Sequence, residues 1–528
     1  MQPYLGLSFI LAVCLAVVRV IFGNLNKKAY PLILYGIGAG MVLMTTLAGP
    51  YLVGSDIHLE YYYAQFRAGA DVMAPTVGVP QGTSIITYIT DNIWAFKVVY
   101  PLLFALVPPI LYLVFKRWIT DKQAFLASFF FIAFPAFSME VPGIARQMIA
   151  EVVLVALLYI LVVSKLEFKF KLPLTIICGA LLPLTHYSVA IVTLILLGIG
   201  CILKGNRRLI GAGLVTIILV ASIYFPLAED GAVFRKLAFI YNAWAPTSME
   251  ITAEEPAPPL WISPDFSEYP PEEDLGPPSK YEPLIYSGMG LDFFQTTIPG
   301  KIFRILHWMI LCLMVVGLWR LRHNKPYRVF AIGGLLLVSF LLIPGFSSLL
   351  NATRFIHLAL FMLAPLLVVA LKPKYILVLL VAYFLFTSGF VFEVIKQPNI
   401  EQITIPYNFG LSNYRMDLGA SVTEDDIKVR DYIYENNLYP LYTDINGAGL
   451  LGEKLGYRDD LIGTLVRKPM DLESGYVFVR SSNVQDGTFT VWNGVGCRKY
   501  VDPMEYYGIN INENIIYQKG DARVIWVP

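Results

Sequence analysis

Long apolar runs separated by short polar loops fill residues 4–392, whereas residues 397–528 mix polar and apolar positions in the manner of a soluble domain. An α-helix needs about 20 apolar residues to cross the hydrocarbon core of a bilayer, and by that measure the pattern predicts about twelve spans. The predicted segments are 4–23, 30–52, 93–115, 124–142, 148–164, 172–185, 187–203, 209–227, 302–319, 329–345, 355–371 and 375–392. We therefore predict a mainly α fold, in which a polytopic transmembrane helical bundle over residues 1–396 precedes a C-terminal α/β domain over residues 397–528.

Lysine and arginine cluster in every second loop of this arrangement, and short cytoplasmic loops carry such an excess in membrane proteins. The sequence therefore predicts a multi-pass protein of the cell membrane, with both termini and the C-terminal domain outside the cytoplasm. The two long outer loops are then 53–92 and 228–301. The basic clusters are Lys27 and Lys28; Lys116, Arg117 and Lys122; Lys165, Lys169 and Lys171; Lys204, Arg207 and Arg208; Arg320, Arg322, Lys325 and Arg328; and Lys372 and Lys374.

The outer loop 228–301 is rich in proline and acidic residues, and aromatic residues are spaced between them. Its apolar content is too low for a core of its own. We therefore expect this loop to form a mobile lid that lies on other parts of the protein.

The C-terminal domain shows short local signals of an α/β fold. Ser421-Val-Thr-Glu424 is a capping-box pattern and predicts a helix to about Asn437. Runs of β-branched and aromatic residues predict strands at 441–445 and 476–480, and residues 514–527 are typical of a hairpin. We find no catalytic triad, phosphate-binding glycine loop or metal set in this domain and assign it no chemistry.

The composition supports a membrane protein and limits its partners. Of the 528 residues, 56% are hydrophobic and only 15% are charged, and the mean hydropathy is +0.60. Soluble proteins carry about a quarter charged residues. A net charge of +1 provides no surface for a polyanion, so nucleic acid is not expected as a partner. Four of the five cysteines lie inside apolar spans, which leaves no disulfide framework or zinc-binding spacing.

Outside the basic loops, ionisable residues gather at the outer mouth of the predicted bundle. Their placement is informative because such groups are costly at membrane depth. A short helix in this region would place Asp56, Glu60, Tyr63 and Arg67 on one stripe, because they follow one another at intervals of four, three and four residues. The alternative interpretation is an interfacial helix with a solvated acidic face.

Further histidines, arginines and glutamates are predicted to lie at this same outer end of the bundle. Taken singly, each is more simply an interfacial or internally satisfied polar residue. Together they offer chemistry, because a carboxylate can act as a general base for a hydroxyl, arginines can hold a phosphate through bidentate hydrogen bonds, and histidine can contact phosphate, bind metal or shuttle protons. The residues are His58; Glu140 and Arg146; Glu151; His186; Arg304 and His307; and Arg354 and His357.

The stretch Gly54-Ser-Asp56-Ile-His58-Leu-Glu60-Tyr-Tyr resembles the early extracytoplasmic loop of the GT-C superfamily, which comprises integral-membrane glycosyltransferases that use sugars linked to a lipid phosphate. Asn351-Ala-Thr-Arg354-Phe-Ile-His357 resembles their arginine-bearing segment, and the multi-span body with an outer α/β tail is also similar. The motif reads Asp-x-His here, where many members have Asp-x-Asp. The resemblance implies inverting transfer of one sugar by a mannosyltransferase-like enzyme of a prokaryote. It implies Asp56 as the catalytic base or acceptor-orienting carboxylate, Glu60 as a second acid, and Arg354 as the arginine that reaches the lipid phosphate. From their placement at the outer mouth, the other candidate substrate- or phosphate-binding residues are His58, Arg146, His186, Arg304 and His357.

The implied partners are a polyprenyl-phosphate-linked sugar donor, a glycan, lipid or protein acceptor, and the lipid bilayer. No cofactor is assigned, and the alternative is a divalent metal held by Asp56 and His58 with His186 or His357. Two other functions stay open. One is a polymerase or ligase of lipid-linked glycans, which has similar span counts and large outer loops. The other is a transporter or flippase of lipid-linked substrates, which would place charges nearer the bilayer midplane.

Overall fold

The structure is a computed structural model, and it describes residues 2–54, 56–58, 60–61, 64, 92–202, 207–227, 293–294, 296–341, 352–395, 422–444, 447–451, 462–464, 474–492 and 498–528. The predicted stripe residues Tyr63 and Arg67 and most of the lid 228–301 lie outside these ranges. Over the described residues the protein is mainly helical, and its strands belong to the C-terminal domain.

Each of the twelve predicted apolar segments contains helix, and together these helices form what we call the helical body. A π-helical segment, Ala95–Val99, directly precedes the third helix, and Val141–Gly143 forms a single 3-10 turn. The helices are α1 (Gln2–Phe22), α2 (Tyr30–Thr46), α3 (Tyr100–Phe104), α4 (Val107–Phe115), α5 (Asp121–Ala133), α6 (Pro135–Met139), α7 (Ala145–Val162), α8 (Phe168–Thr185), α9 (Tyr187–Ile202), α10 (Arg207–Leu227), α11 (Ile298–Leu321), α12 (Lys325–Phe340), α13 (Ala352–Val369), α14 (Pro373–Thr387) and α15 (Phe390–Val394).

The lengths of these helices bear on the number of spans. Among the described residues, seven helices are long and apolar enough to cross a membrane, and the bent pair α5–α6 makes an eighth if it is one span. Four further apolar helices are only 10–17 residues long. At a rise of about 1.5 Å per residue, such helices are shorter than the roughly 30 Å of hydrocarbon. The apolar helices are consistent with a membrane protein, but the predicted count of about twelve spans is not confirmed.

The segment predicted as one span at 124–142 is broken. Helix α5 ends at Ala133 because Phe134 precedes a proline and is extended, with φ −73° and ψ 134°. The helix resumes at Pro135 with a bend of 57°. The 3-10 turn and the extended Ile144 then lead into α7. As a result α7 begins at Ala145, and the backbone N–H groups of its first turn have no acceptor within the helix. The candidate site supplies an acceptor for two of them.

The described elements of the C-terminal domain are α16 (Glu424–Glu435), β1 (Leu441–Thr443), β2 (Ile462–Thr464), β3 (Gly475–Val479), α17 (Ser481–Asp486), β4 (Phe489–Trp492), β5 (Arg498–Val501), α18 (Pro503–Tyr507), β6 (Ile515–Lys519) and β7 (Ala522–Val527). Five of the strands form a sheet in the order β2-β1-β3-β7-β6, and β4 and β5 form a separate two-stranded sheet. β1 pairs in parallel with β2 and β3, and β7 pairs antiparallel with β3 and β6. The predicted strands and hairpin are confirmed as β1, β3 and the pair β6–β7.

The predicted helix after residue 421 is confirmed as α16, but its predicted cap is wrong. Thr423, not Ser421, caps the helix: its hydroxyl accepts a hydrogen bond from the N–H of Asp426 at 3.1 Å. The Asp426 carboxylate accepts in return from the N–H of Thr423 at 2.9 Å. Asp426 also accepts from the N–H of Ser481 at 2.7 Å, which joins α16 to α17. This tertiary contact stabilises the start of the helix at Thr423.

Candidate functional site

The carboxylates of Asp56 and Glu60 both contact the side chain of Arg146. The Arg146 Nη2 atom lies 3.2 Å from Asp56 Oδ2, and its Nε atom lies 3.3 Å from Glu60 Oε1. The two carboxylates therefore share a face of the short helical segment that carries them, as their four-residue interval predicts. Because Arg146 is the second residue of α7, this contact ties the loop after α2 to the start of α7.

The two carboxylates have different surroundings. The Glu60 side chain is 2% exposed, whereas that of Asp56 is 36% exposed, so solvent and ligands reach only Asp56 directly. Glu60 Oε2 accepts hydrogen bonds from the N–H groups of Ala145 at 2.7 Å and Arg146 at 3.4 Å. A carboxylate at this position also interacts favourably with the positive end of the α7 dipole. Burial nevertheless raises the pKa of Glu60 to about 7, because the loss of hydration outweighs the nearby Arg146.

A close backbone contact brings the two chain segments together. Gly54 has φ +126°, a conformation that side chains strongly disfavour. A Cβ atom placed on Gly54 would lie 2.9 Å from the Cα atom of Gly143 in the 3-10 turn before α7. The absence of a side chain at Gly54 thus allows the loop to cross this turn just before Asp56 and Glu60.

Arg354 lies in a second contact with the same stretch of chain. Glu140 Oε2 accepts a hydrogen bond from the Thr353 hydroxyl at 2.7 Å and lies 3.6 Å from Arg354 Nε. The Arg354 and Glu140 side chains are both partly exposed, at 31% and 26%. Arg354 is therefore an accessible cation at the start of α13, and Glu140 stands only six residues before Arg146.

His357 lies in a third contact, which is closed to solvent. His357 Nε2 lies 3.1 Å from Glu151 Oε2, and both side chains are fully buried. The other carboxylate oxygen of Glu151 accepts from the Gln147 side-chain amide at 2.9 Å. Phenylalanine rings surround the imidazole, with Phe131 nearest at 4.3 Å between ring centroids. His357 thus faces the interior of the bundle between α7 and α13, and not the mouth.

The other predicted substrate- or phosphate-binding residues are His58, His186 and Arg304, and all three are buried. His58 is buried in the same helical segment as Asp56. His186 lies at the junction of α8 and α9, where its Nδ1 atom is 2.6 Å from the Ser188 hydroxyl and its ring stacks on Tyr187. Arg304, in α11, is buried and donates to the Gly300 carbonyl at 3.3 Å.

The described residues Asp56, His58, His186 and His357 do not form the alternative metal site. Within the described part of the chain, no group of three histidine, cysteine, aspartate or glutamate side chains is arranged to share one metal ion. Asp56 instead pairs with Arg146, and His357 pairs with Glu151.

Lys97 is a buried charged residue that was not among the candidates predicted from the sequence. Its side chain is buried in the π-helical segment before α3, at the outer end of a predicted span. The signal was a single positive charge among apolar residues, in the sequence Ala-Phe-Lys-Val-Val, at the end of a span opposite to the basic loops.

A glycine pattern in the C-terminal domain was also missed. Gly447-Ala-Gly449-Leu-Leu-Gly452 follows β1, and G-x-G-x-x-G after a strand is typical of phosphate-binding loops. Here, however, the Gly447 N–H donates to the buried carboxylate of Asp444 at 2.7 Å, and Arg480 Nη2 lies 3.1 Å from the same carboxylate. The Gly447 N–H is thus bound to a carboxylate of the protein itself, and we still assign this domain no chemistry.

The chain matches no protein-family model, and no curated protein is significantly similar to it.

Proposed function

We propose that this protein is a membrane glycosyltransferase that moves a sugar from a polyprenyl-phosphate carrier to an acceptor at the extracytoplasmic face. The observation that supports this most is the partly exposed Asp56 carboxylate, oriented by Arg146 beside a bundle of apolar helices. A fixed, accessible carboxylate next to the membrane is what a general base for an acceptor hydroxyl requires. The resemblance of this loop to that of the GT-C superfamily supports the same activity.

In the proposed reaction Asp56 takes the proton of the acceptor hydroxyl as the hydroxyl oxygen attacks the anomeric carbon of the sugar. The new bond to the acceptor oxygen forms while the bond from the anomeric carbon to the phosphate oxygen breaks. The carrier phosphate leaves with the electron pair, and attack from the opposite face inverts the configuration. Arg146 orients Asp56, and the buried Glu60 acts through Arg146 and the start of α7.

Arg354 is the cation that best fits the carrier phosphate. Its guanidinium is partly exposed, and Glu140 lies 3.6 Å away, beyond hydrogen-bond distance. A phosphate can offer this guanidinium two short, charge-assisted hydrogen bonds, which are stronger than the loose contact with Glu140. The carrier would therefore draw Arg354 away from Glu140.

The finer topology is part of the proposal: about twelve spans in the cell membrane, with both termini and the C-terminal domain outside. Two contacts between predicted cytoplasmic ends support it. Lys27 Nζ lies 2.8 Å from Asp121 Oδ2, and Arg320 donates to the Val369 carbonyl at 2.9 Å. On the predicted outer side, the contact between Arg146 and Asp56 joins two other loop ends. Same-side ends meet each other in each case, as the alternating basic loops require.

The test uses membranes that contain wild-type protein, Asp56→Asn or Asp521→Asn at matched expression. Asp521→Asn is the control because it makes the same change in an exposed hairpin turn. Each membrane receives labelled polyprenyl-phosphate mannose or glucose, and the label is followed into lipid, glycan and protein fractions. We expect transfer by wild type and Asp521→Asn, and a loss of at least about 100-fold in Asp56→Asn.

Three results would contradict the proposal. Full activity in Asp56→Asn would remove Asp56 from the chemistry. A ladder of products, or transfer of a whole glycan block, would favour a polymerase or ligase. Accumulation of label in sealed vesicles without a covalent product would favour a transporter or flippase.

A further inference from the structure

Lys97 is a buried cation whose ammonium group binds backbone carbonyls. Its Nζ atom donates to the carbonyl oxygens of Gly49 at 2.5 Å and Tyr51 at 2.6 Å. These carbonyls lie three and five residues after Thr46, the last residue of α2. The backbone carbonyl of Lys97 accepts in turn from the Thr46 hydroxyl at 2.7 Å. The side chain of Lys97 thus binds the backbone after α2, and the backbone of Lys97 binds a side chain at the end of α2.

The stretch that Lys97 holds also contacts the C-terminal domain. The Tyr51 side chain packs against the hydrophobic cluster that contains Val429 and Ile433 of α16. Its phenol interacts electrostatically with charged residues of α16, among them Glu424 and Arg430. The same short stretch therefore binds Lys97 through its backbone and the C-terminal domain through a side chain.

The chemistry of Lys97 is unusual for a residue that only fills space. Burying an ammonium group costs free energy, and within the described residues its hydrogen bonds go to neutral carbonyls and no carboxylate forms an ion pair with it. A methionine would fill the same volume without that cost. A π-helical segment, such as the one that carries Lys97, is also often found at functional positions.

We propose that Lys97 is a positioning residue that fixes residues 49–51 and thereby holds the C-terminal domain on the helical body. The same anchor sets the start of the chain that reaches Asp56 five residues after Tyr51. This proposal concerns the arrangement of the full chain and does not depend on the reaction proposed above.

Distances between spin labels on the full-length protein in nanodiscs test this inference. One label is attached at Ile305→Cys in α11 of the helical body and the other at Glu435→Cys at the end of α16, both exposed positions, with the native cysteines replaced. We expect a narrow distance distribution for the parent protein. The Lys97→Met variant should broaden it at least about twofold, because the turn loses its two charged hydrogen bonds.

Three further variants identify the cause. Lys97→Arg keeps a cationic donor and should restore the narrow distribution, whereas Tyr51→Ala should broaden it as Lys97→Met does. Lys301→Met, at a half-buried lysine in the first turn of α11, is the control and should change nothing.

Two outcomes would overturn the proposal. In one, Lys97→Met keeps the parent distribution while Tyr51→Ala broadens it, so the lysine does not hold the turn. In the other, neither variant changes the distribution, so this contact does not hold the domain.

If Lys97→Met does not fold, Lys97→Gln replaces it. Its neutral amide should give an intermediate width, and the parent width would again overturn the inference.

Discussion

At the scale of single residues, Asp56 and Glu60 carry the same functional group and meet the same guanidinium, but burial gives them different properties. Glu60 exchanges water for two backbone N–H groups and part of Arg146, and its pKa rises to about 7. Asp56 keeps contact with solvent through a side chain that is 36% exposed. A base must reach its substrate, so Asp56 fits that role and Glu60 fits the role of an anchor for Arg146.

The raised pKa of Glu60 predicts a dependence of stability on pH. The folded state binds the Glu60 proton at about pH 7 and the unfolded state only near the ordinary value of 4.5. The folded state therefore holds more protons between these values, and the free energy of unfolding falls as pH rises from about 4.5 to about 7. The two pKa values limit this change to roughly 3 kcal/mol. Thermal unfolding in detergent, compared for wild type and Glu60→Gln across this range, measures it.

The control for this measurement is Glu435→Gln, at an exposed glutamate at the end of α16. This variant should follow the wild-type curve, while Glu60→Gln should lose the downward slope. The same slope in Glu60→Gln and wild type would show that Glu60 does not titrate in this window.

Arg146 offers a second prediction at this scale, which rests on the proposed activity. Its guanidinium presents separate N–H groups to Asp56 and Glu60, whereas a lysine presents one point charge. Arg146→Lys should therefore stay folded but reduce sugar transfer by roughly 10- to 100-fold, since a misplaced catalytic group slows the chemical step. Initial rates at saturating donor, with thermal unfolding as the check on folding, test this. Wild-type rates would mean that a single charge is enough to orient Asp56.

At the scale of secondary structure, the apolar pattern predicted where helices lie better than where they break. Helix forms in every predicted apolar segment. A helix satisfies all backbone hydrogen bonds within the segment, which an apolar surrounding requires. The bend at Phe134 and Pro135 follows from local stereochemistry and was readable in principle. The π-helical turn at Ala95–Val99 was not, because its extra residue is stabilised by contacts with distant residues 46–51.

The crossing of the loop at Gly54 over the turn at Gly143 gives a prediction about these elements. Gly54→Ala places a Cβ 2.9 Å from the Gly143 Cα atom at a φ of +126°, so the backbone must move. It should lower the free energy of unfolding by about 2 kcal/mol or more. Gly143→Ala is the matched control, since its Cβ meets its nearest neighbours at the ordinary distances of 3.5 and 3.6 Å. Thermal unfolding of both variants measures the difference, and equal losses would contradict the contact.

At the scale of the whole molecule, the sequence did not predict how the polar residues of these helices pair. Arg354 and His357 are three residues apart on α13, yet one contacts the partly exposed Glu140 and the other the buried Glu151. The pairing depends on the break before α7, which places the carboxylates at two depths. No local pattern contains this information, because each contact joins residues more than 200 positions apart.

These two contacts join α13 to the residue that follows α6 and to α7, and they differ in burial, so they predict different coupling energies. Glu140 and Arg354 are 3.6 Å apart and partly hydrated, and such pairs contribute about 0.5 kcal/mol or less. Glu151 and His357 are 3.1 Å apart and fully buried, and removing one partner leaves the other polar group unsatisfied in a low dielectric. Their coupling should exceed about 1.5 kcal/mol. Double-mutant cycles with Glu140→Gln and Arg354→Gln, and with Glu151→Gln and His357→Gln, measure both energies by thermal unfolding in detergent. Equal couplings, or a larger value for the outer pair, would mean that the inner pair does not hold α7 against α13.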